Sequence, residues 1–158
     1  MSYLVESNLL GVREFSIKDA SLLASWMSTS AMDLFMISSS LTFPVQAETL
    51  IDYSKKIKPN EHNLYSVFLK ETGQHIGHFE IKNINARHKI GTAAHIVLSP
   101  EYRRKGLGYH LINLISMVGF EVLGLYRISL SVHTVNVSAI AAYVKYWNLR
   151  VNDIPCIK

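Results

Sequence analysis

Residues 95–120 read "HIVLSPEYRRKGLGYHLINLISMVGF". An apolar, strand-like run ends at Ser99-Pro100, three cations follow at Arg103, Arg104 and Lys105, and Gly106 and Gly108 come directly after. Beyond the glycines, Leu107, Leu111, Leu114, Ile115, Val118 and Val122 share one stripe at helical spacing, and Gly124 is a natural stop. The unit is strand, loop, helix. Its two glycines let a ligand approach the main chain. The first N–H groups of a helix have no partner within it, and the helix dipole there favours an anion. The cations add full charge at the same point, so a phosphate or pyrophosphate is the ligand class that fits. The loop lacks the Lys-Ser/Thr ending of a P-loop. It also lacks the three-glycine spacing and acidic partner of a dinucleotide fold.

Upstream, "NLYSVFLK" (63–70), "HIGHFEIKNI" (75–84) and "IGTAAHIVL" (90–98) alternate as strands separated by turn signals. They predict an antiparallel meander. An earlier strand over 10–15 leads to Ser16 and Asp19, a capping box before a helix with Leu22, Leu23, Trp26 and Met27 inward. A second helix runs from Gln46 to Ile57, with Leu50, Ile51 and Ile57 inward, and stops before Pro59. Downstream, "YRISLSVH" (126–133) alternates as a strand. Asn136 to Trp147 reads as a helix capped by Asn136 or Ser138, and a short strand near Leu149 to Asn152 ends the chain. The fold class is α+β, mixed α/β.

The chain has 158 residues, 49% hydrophobic and 18% charged, which fits one domain over 1–158 with a substantial core. Its single cysteine, Cys156, allows no intrachain disulfide. The N-terminus has no signal-peptide pattern, and the uncharged part of the glycine-loop helix ends at Glu121, too early to span a bilayer. A cytoplasmic protein with no membrane partner is expected. The net charge is +4, but the cations are scattered and not interleaved with aromatics, which argues against nucleic acid. The seven histidines show no metal-ligand spacing, so no metal is expected.

A second element, "VHTVNVSAIAAYVKYW" (132–147), places Val132, Asn136, Ala139 and Tyr143 in the pattern V-x-x-x-N-x-x-A-x-x-x-Y. With the R-x-x-G-x-G loop of "VLSPEYRRKGLG", the chain resembles the GNAT superfamily of acyl-CoA-dependent N-acetyltransferases. "VREFSIKDASLLASWM" and "HIGHFEIKNI" resemble its ribosomal-protein N-terminal acetyltransferase branch. The resemblance implies a central, mostly antiparallel twisted sheet of about six strands flanked by about four helices. It implies acetyl-CoA as co-substrate and a primary amine as acceptor, either a protein N-terminus or a small amine such as a polyamine. A binding module that holds acyl-CoA without transferring it is the alternative.

Carried onto this sequence, the resemblance puts the pantetheine arm against Ile96, Val97 and Leu98. The pyrophosphate lies on the loop formed by Arg103, Arg104, Lys105, Gly106, Leu107, Gly108 and Tyr109. Asn136 holds the pantetheine arm, and Tyr143 sits beside the thioester sulfur, where its phenol protonates the departing thiolate. A main-chain N–H near Val97 or Leu98 stabilises the oxyanion. Many relatives carry a glutamate base on the strand at 90–98, where this chain has none. His95 on that strand and Glu80 on its neighbour are the candidates, and Glu48 and Asp52 share a helix face that could meet a cationic acceptor. Relatives also continue past the last helix with two strands, whereas "NLRVNDIPCIK" supplies one at most. A homodimer covering the exposed sheet edge is one answer.

Overall fold

The computed structural model describes residues 2–27, 46–103 and 105–130. Six strands form one sheet in chain order: β1 (Val5–Glu6), β2 (Leu10–Glu14), β3 (Asn63–Leu69), β4 (Gln74–Asn85), β5 (Ile90–Leu98) and β6 (Arg127–Leu130). The first four pairings are antiparallel, and β6 joins β5 in parallel through Ile90 to Ala93. The meander is as the alternation predicts. β1 was not expected. The strand predicted near Leu149 and the helix over 136–147 lie outside the described residues.

Helix α1 (Ala20–Met27) follows a 3-10 turn at Ile17–Asp19. The predicted capping box is present. Ser16 accepts from the Lys18 N–H, and Asp19 accepts from the Ser16 N–H at 2.9 Å. Asp19 does more than cap. It is buried and receives both guanidinium nitrogens of Arg13, at 2.8 and 3.0 Å, and the Ser66 hydroxyl at 2.8 Å. The cap thus ties α1 to β2 and β3. Leu23, Trp26 and Met27 face inward as expected, but Leu22 is exposed, because the buried stripe of this short helix runs through Ala20, Leu23, Ala24 and Met27.

Helix α2 (Ala47–Lys56) lies on the same sheet face and buries Leu50 beside α1 and Val97. Helix α3 (Gly108–Met117) covers the opposite face, where Leu111, Leu114 and Ile115 meet Val12, Val67, Phe79 and Ile81. Its predicted stripe holds as far as Val118. The backbone then widens into a π-turn over Val118–Val122, which shifts the angular register and leaves Val122 exposed. Gly124, at φ +66°, ends the segment.

Candidate active site

Pleating sets which side chains meet. On β4, Phe79 and Ile81 turn to α3, so His78 and Glu80 turn to the face under α1 and α2. Both are buried. A carboxylate in that position needs donors, and four side chains supply them. Glu80 Oε1 lies 2.7 Å from the Tyr53 hydroxyl on α2, 2.7 Å from His62 Nε2, and 3.0 Å from His95 Nδ1 on β5. Glu80 Oε2 lies 2.9 Å from His78 Nε2.

Burial pushes the Glu80 carboxyl upward. The hydrogen bonds from His62, His78 and His95 outweigh that effect and hold it well below the ordinary carboxylate range. Glu80 is therefore ionised and only accepts. This fixes the imidazole tautomers: each contacting nitrogen carries its proton. His95 bears its hydrogen on Nδ1, which leaves Nε2 as the ring's proton acceptor. His78 Nδ1 is buried with no partner among the described residues, which suits a bare lone pair better than an N–H. Burial and the neighbouring carboxylate push the Tyr53 phenol above its ordinary value, so it remains a neutral donor.

Strand alternation alone would turn His95 away. Glu80 pairs with Ala94 and His78 with Val97, so one residue of β4 faces two of β5. This is a β-bulge, and His95 within it has φ +51°. A bulge re-aims a side chain. Here it swings His95 onto the side of Glu80. Sequence reasoning put His95 and Glu80 forward separately, and the structure brings them together. It missed Tyr53 and His62, which share proximity in space rather than any spacing in the chain, and it gave His78 little weight although His78 and Glu80 stand two apart on one strand.

The glycine loop follows β5. Pro100–Tyr102 forms a 3-10 turn, and Arg103 Nε donates to the Leu98 carbonyl at 3.0 Å, closing the loop back on the strand. The Lys105 ammonium stands 5.7 Å from the Tyr102 ring centre. Gly106 has φ +77°, which glycine adopts without strain. Among the described residues, a Cβ added at Gly106 or Gly108 would meet nothing within 4 Å. The bare backbone at the start of α3 therefore has no packed neighbour among the described residues. That suits a site for a bulky anion. Arg104, Asn136 and Tyr143 lie outside the described residues. Ile96, Val97 and Leu98 lie on β5, and the described pairing of β5 with β6 ends at Ala93.

Residues 29–147 match the acetyltransferase (GNAT) family. The chain belongs to that family. It is an acetyl-CoA-dependent N-acetyltransferase. No curated protein matches the sequence. Among solved structures, the GNAT chain is similar to a Vibrio cholerae spermidine N-acetyltransferase in complex with CoA and spermine. The two are 23% identical, with 89% of this chain and 80% of that chain covered and a TM-score of 0.75. A dodecameric structure of spermidine N-acetyltransferase from the same organism is 23% identical over 89% of this chain and 79% of that one, with a TM-score of 0.70. A Vibrio cholerae spermidine/spermine N-acetyltransferase in complex with manganese ions is 25% identical over 87% and 76%, with a TM-score of 0.67. Among the described residues, no His, Cys, Asp and Glu group could hold a metal, and no helix is long and apolar enough to cross a membrane.

Proposed function

We propose that this N-acetyltransferase acts on a small alkyl amine, with His95 as the base and Glu80 as the carboxylate that positions it. The buried cluster around Glu80 carries this reading. An alkyl ammonium of pKa about 10.4 is neutral in about one part in two thousand at pH 7, whereas an α-amine near 8 is far more often free. A base held by a dedicated carboxylate matters most for the first acceptor. The structural likeness to spermidine N-acetyltransferases is in keeping with it.

Glu80 is a poor proton acceptor because four donors stabilise its charge. It holds His95 Nδ1–H in place and stabilises the imidazolium formed when Nε2 takes a proton from the acceptor. Acetyl-CoA supplies the activated carbonyl. The first N–H groups of α3, with Lys105 and Arg104 at the loop, hold its pyrophosphate. Ile96, Val97 and Leu98 offer the main-chain edge for the pantetheine arm, which Asn136 holds, and Tyr143 provides the proton for the leaving sulfur. Residues 1–158 act as one domain, and self-association accords with the dodecameric relative.

The test is thiol release from acetyl-CoA with a panel of spermidine, shorter diamines and peptides with free N-termini. Turnover with the alkyl amines above that with the peptides is expected. Exclusive turnover of peptides would overturn the acceptor assignment, and a His95→Gln variant at the wild-type rate would overturn the assignment of the base.

A further inference from the structure

Two imidazoles share one oxygen. His62 Nε2 and His95 Nδ1 both lie within 3.0 Å of Glu80 Oε1. A single carboxylate charge balances a single imidazolium, and a second one this close is repelled by the first. The two rings belong to different surroundings. His95 sits on the β5 bulge. His62 lines a cavity of about 450 Å³ together with Glu14 at the end of β2, Phe15 just beyond it, and Asn63 and Leu64 of β3. Those strands lie on the other side of β4 from β5. The side chain of His62 is 18% exposed.

Resting on the reading of His95 as the base, we propose that His62 is a positioning residue of the same reaction. It holds the one imidazolium that Glu80 balances and thereby keeps His95 neutral and able to accept a proton. Of the two rings, His62 is the more open to solvent, with its side chain 18% exposed against 11% for His95, and the charged form is the one that burial penalises, so the resting charge is assigned to His62. When His95 Nε2 takes a proton from the acceptor ammonium, an N–H bond of the acceptor breaks and the free amine forms. His62 Nδ1 gives a proton to water in the cavity, and the net charge of the cluster does not change. On product release His95 loses its proton to water and His62 regains one. One proton is released per amide made, as acetylation of an ammonium requires.

The other groups facing the pair fit this scheme. Tyr53 on α2 stays neutral and donates. His78 on β4 binds the other oxygen, Oε2, and its free nitrogen is buried. Glu14 and Lys55, of opposite charge, line the cavity.

The experiment is the pH dependence of kcat/KM with acetyl-CoA and spermidine for wild type, His62→Gln and His62→Arg. Glutamine retains an N–H donor for Glu80 but cannot titrate, and arginine retains both donor and charge. The acidic limb should move to higher pH by about one to two units in H62Q. In H62R it should lie at or below its wild-type position. A limb that does not rise in H62Q, or that rises in both variants, overturns the proposal. In unaltered protein, the 15N shifts of the His62 and His95 rings should titrate in two coupled steps, and independent single steps would also overturn it. An inactive H95Q beside an unmoved H62Q limb removes only the role of His62, whereas a fully active H95Q removes the base itself.

Discussion

His95 Nδ1 lies 3.0 Å from Glu80 Oε1, although the strand partner of Glu80 is Ala94. The extra residue in β5 and the left-handed backbone at His95 make this contact. A straight strand would send the imidazole to the α3 face, among Ile81, Leu114 and Ile115. The bulge exchanges one stretch of regular pairing for an imidazole held against a buried carboxylate. Non-glycine residues with positive φ are uncommon, with histidine several-fold enriched among them.

Replacing Glu80 with glutamine removes the charge that four donors address. One of the amide's two ends is an NH2, which must then face an imidazole or phenol donor. Loss of about 3 kcal/mol of stability is expected from a buried network broken at its centre. Turnover should fall at least about a hundredfold, as for removal of an acid–base component. Urea unfolding and steady-state rates check the two effects separately.

Tyr53→Phe deletes one donor and leaves three. The loss should be about 1 kcal/mol in stability and several-fold in kcat, with little change in coenzyme affinity. Isothermal calorimetry with coenzyme A distinguishes this from general damage to the fold. A loss of coenzyme binding would show that α2 supports the glycine loop, which the geometry does not suggest.

His75 gives the stability a pH dependence of its own. Burial pushes its imidazole down from 6.5 to about 4, despite Asp19 nearby and the bond to the Gly77 carbonyl. The ring packs between Trp26 and Phe68, with centroids at 4.8 and 5.1 Å. Because the unfolded chain binds a proton at His75 more readily, stability falls as pH drops from about 6.5 to about 4, by about 3 kcal/mol in all. Glu80, with its depressed carboxyl, adds a loss that begins near 4.5 and continues below it. His75→Phe should flatten the first window and leave the second. Thermal unfolding at half-unit pH steps reads both.

The two glycines of the loop should separate. Gly106 is at φ +77°, so Gly106→Ala costs about 1 kcal/mol in backbone strain, as well as affinity for coenzyme A. Gly108 opens α3, meets no described residue where a Cβ would stand, and is not at positive φ. Gly108→Ala should therefore leave the melting temperature unchanged or slightly raised. It should nevertheless weaken coenzyme A binding about tenfold or more if the pyrophosphate approaches that backbone. Calorimetry on both variants, with thermal melts alongside, decides the matter. Undiminished affinity in Gly108→Ala would place the anion elsewhere.

Most of the fold was legible in the chain. The alternation over 63–98 marked three antiparallel strands, because one face of each is pressed into a core and the period of two follows from the pleat. The stripe from Leu107 to Val118 marked α3, and Ser16 with Asp19 marked the entry to α1, because caps and stripes are local. What failed was also local in appearance but tertiary in cause. Val122 fell off the stripe when the helix widened, and β1 exists because Val5 and Glu6 find partners in Val12 and Gly11.

By itself the sequence determined the secondary elements, the bare cationic loop before α3 and the family motifs, since each depends on residues a few positions apart. Only the tertiary structure decided which side chains share Glu80. Tyr53, His62, His78 and His95 come from a helix, a loop and two strands, and only the two-residue step from His78 to Glu80 is visible in the chain. Their convergence is imposed by the desolvation of a single carboxylate, which is stable beneath two helices only when donors from every surrounding element reach it.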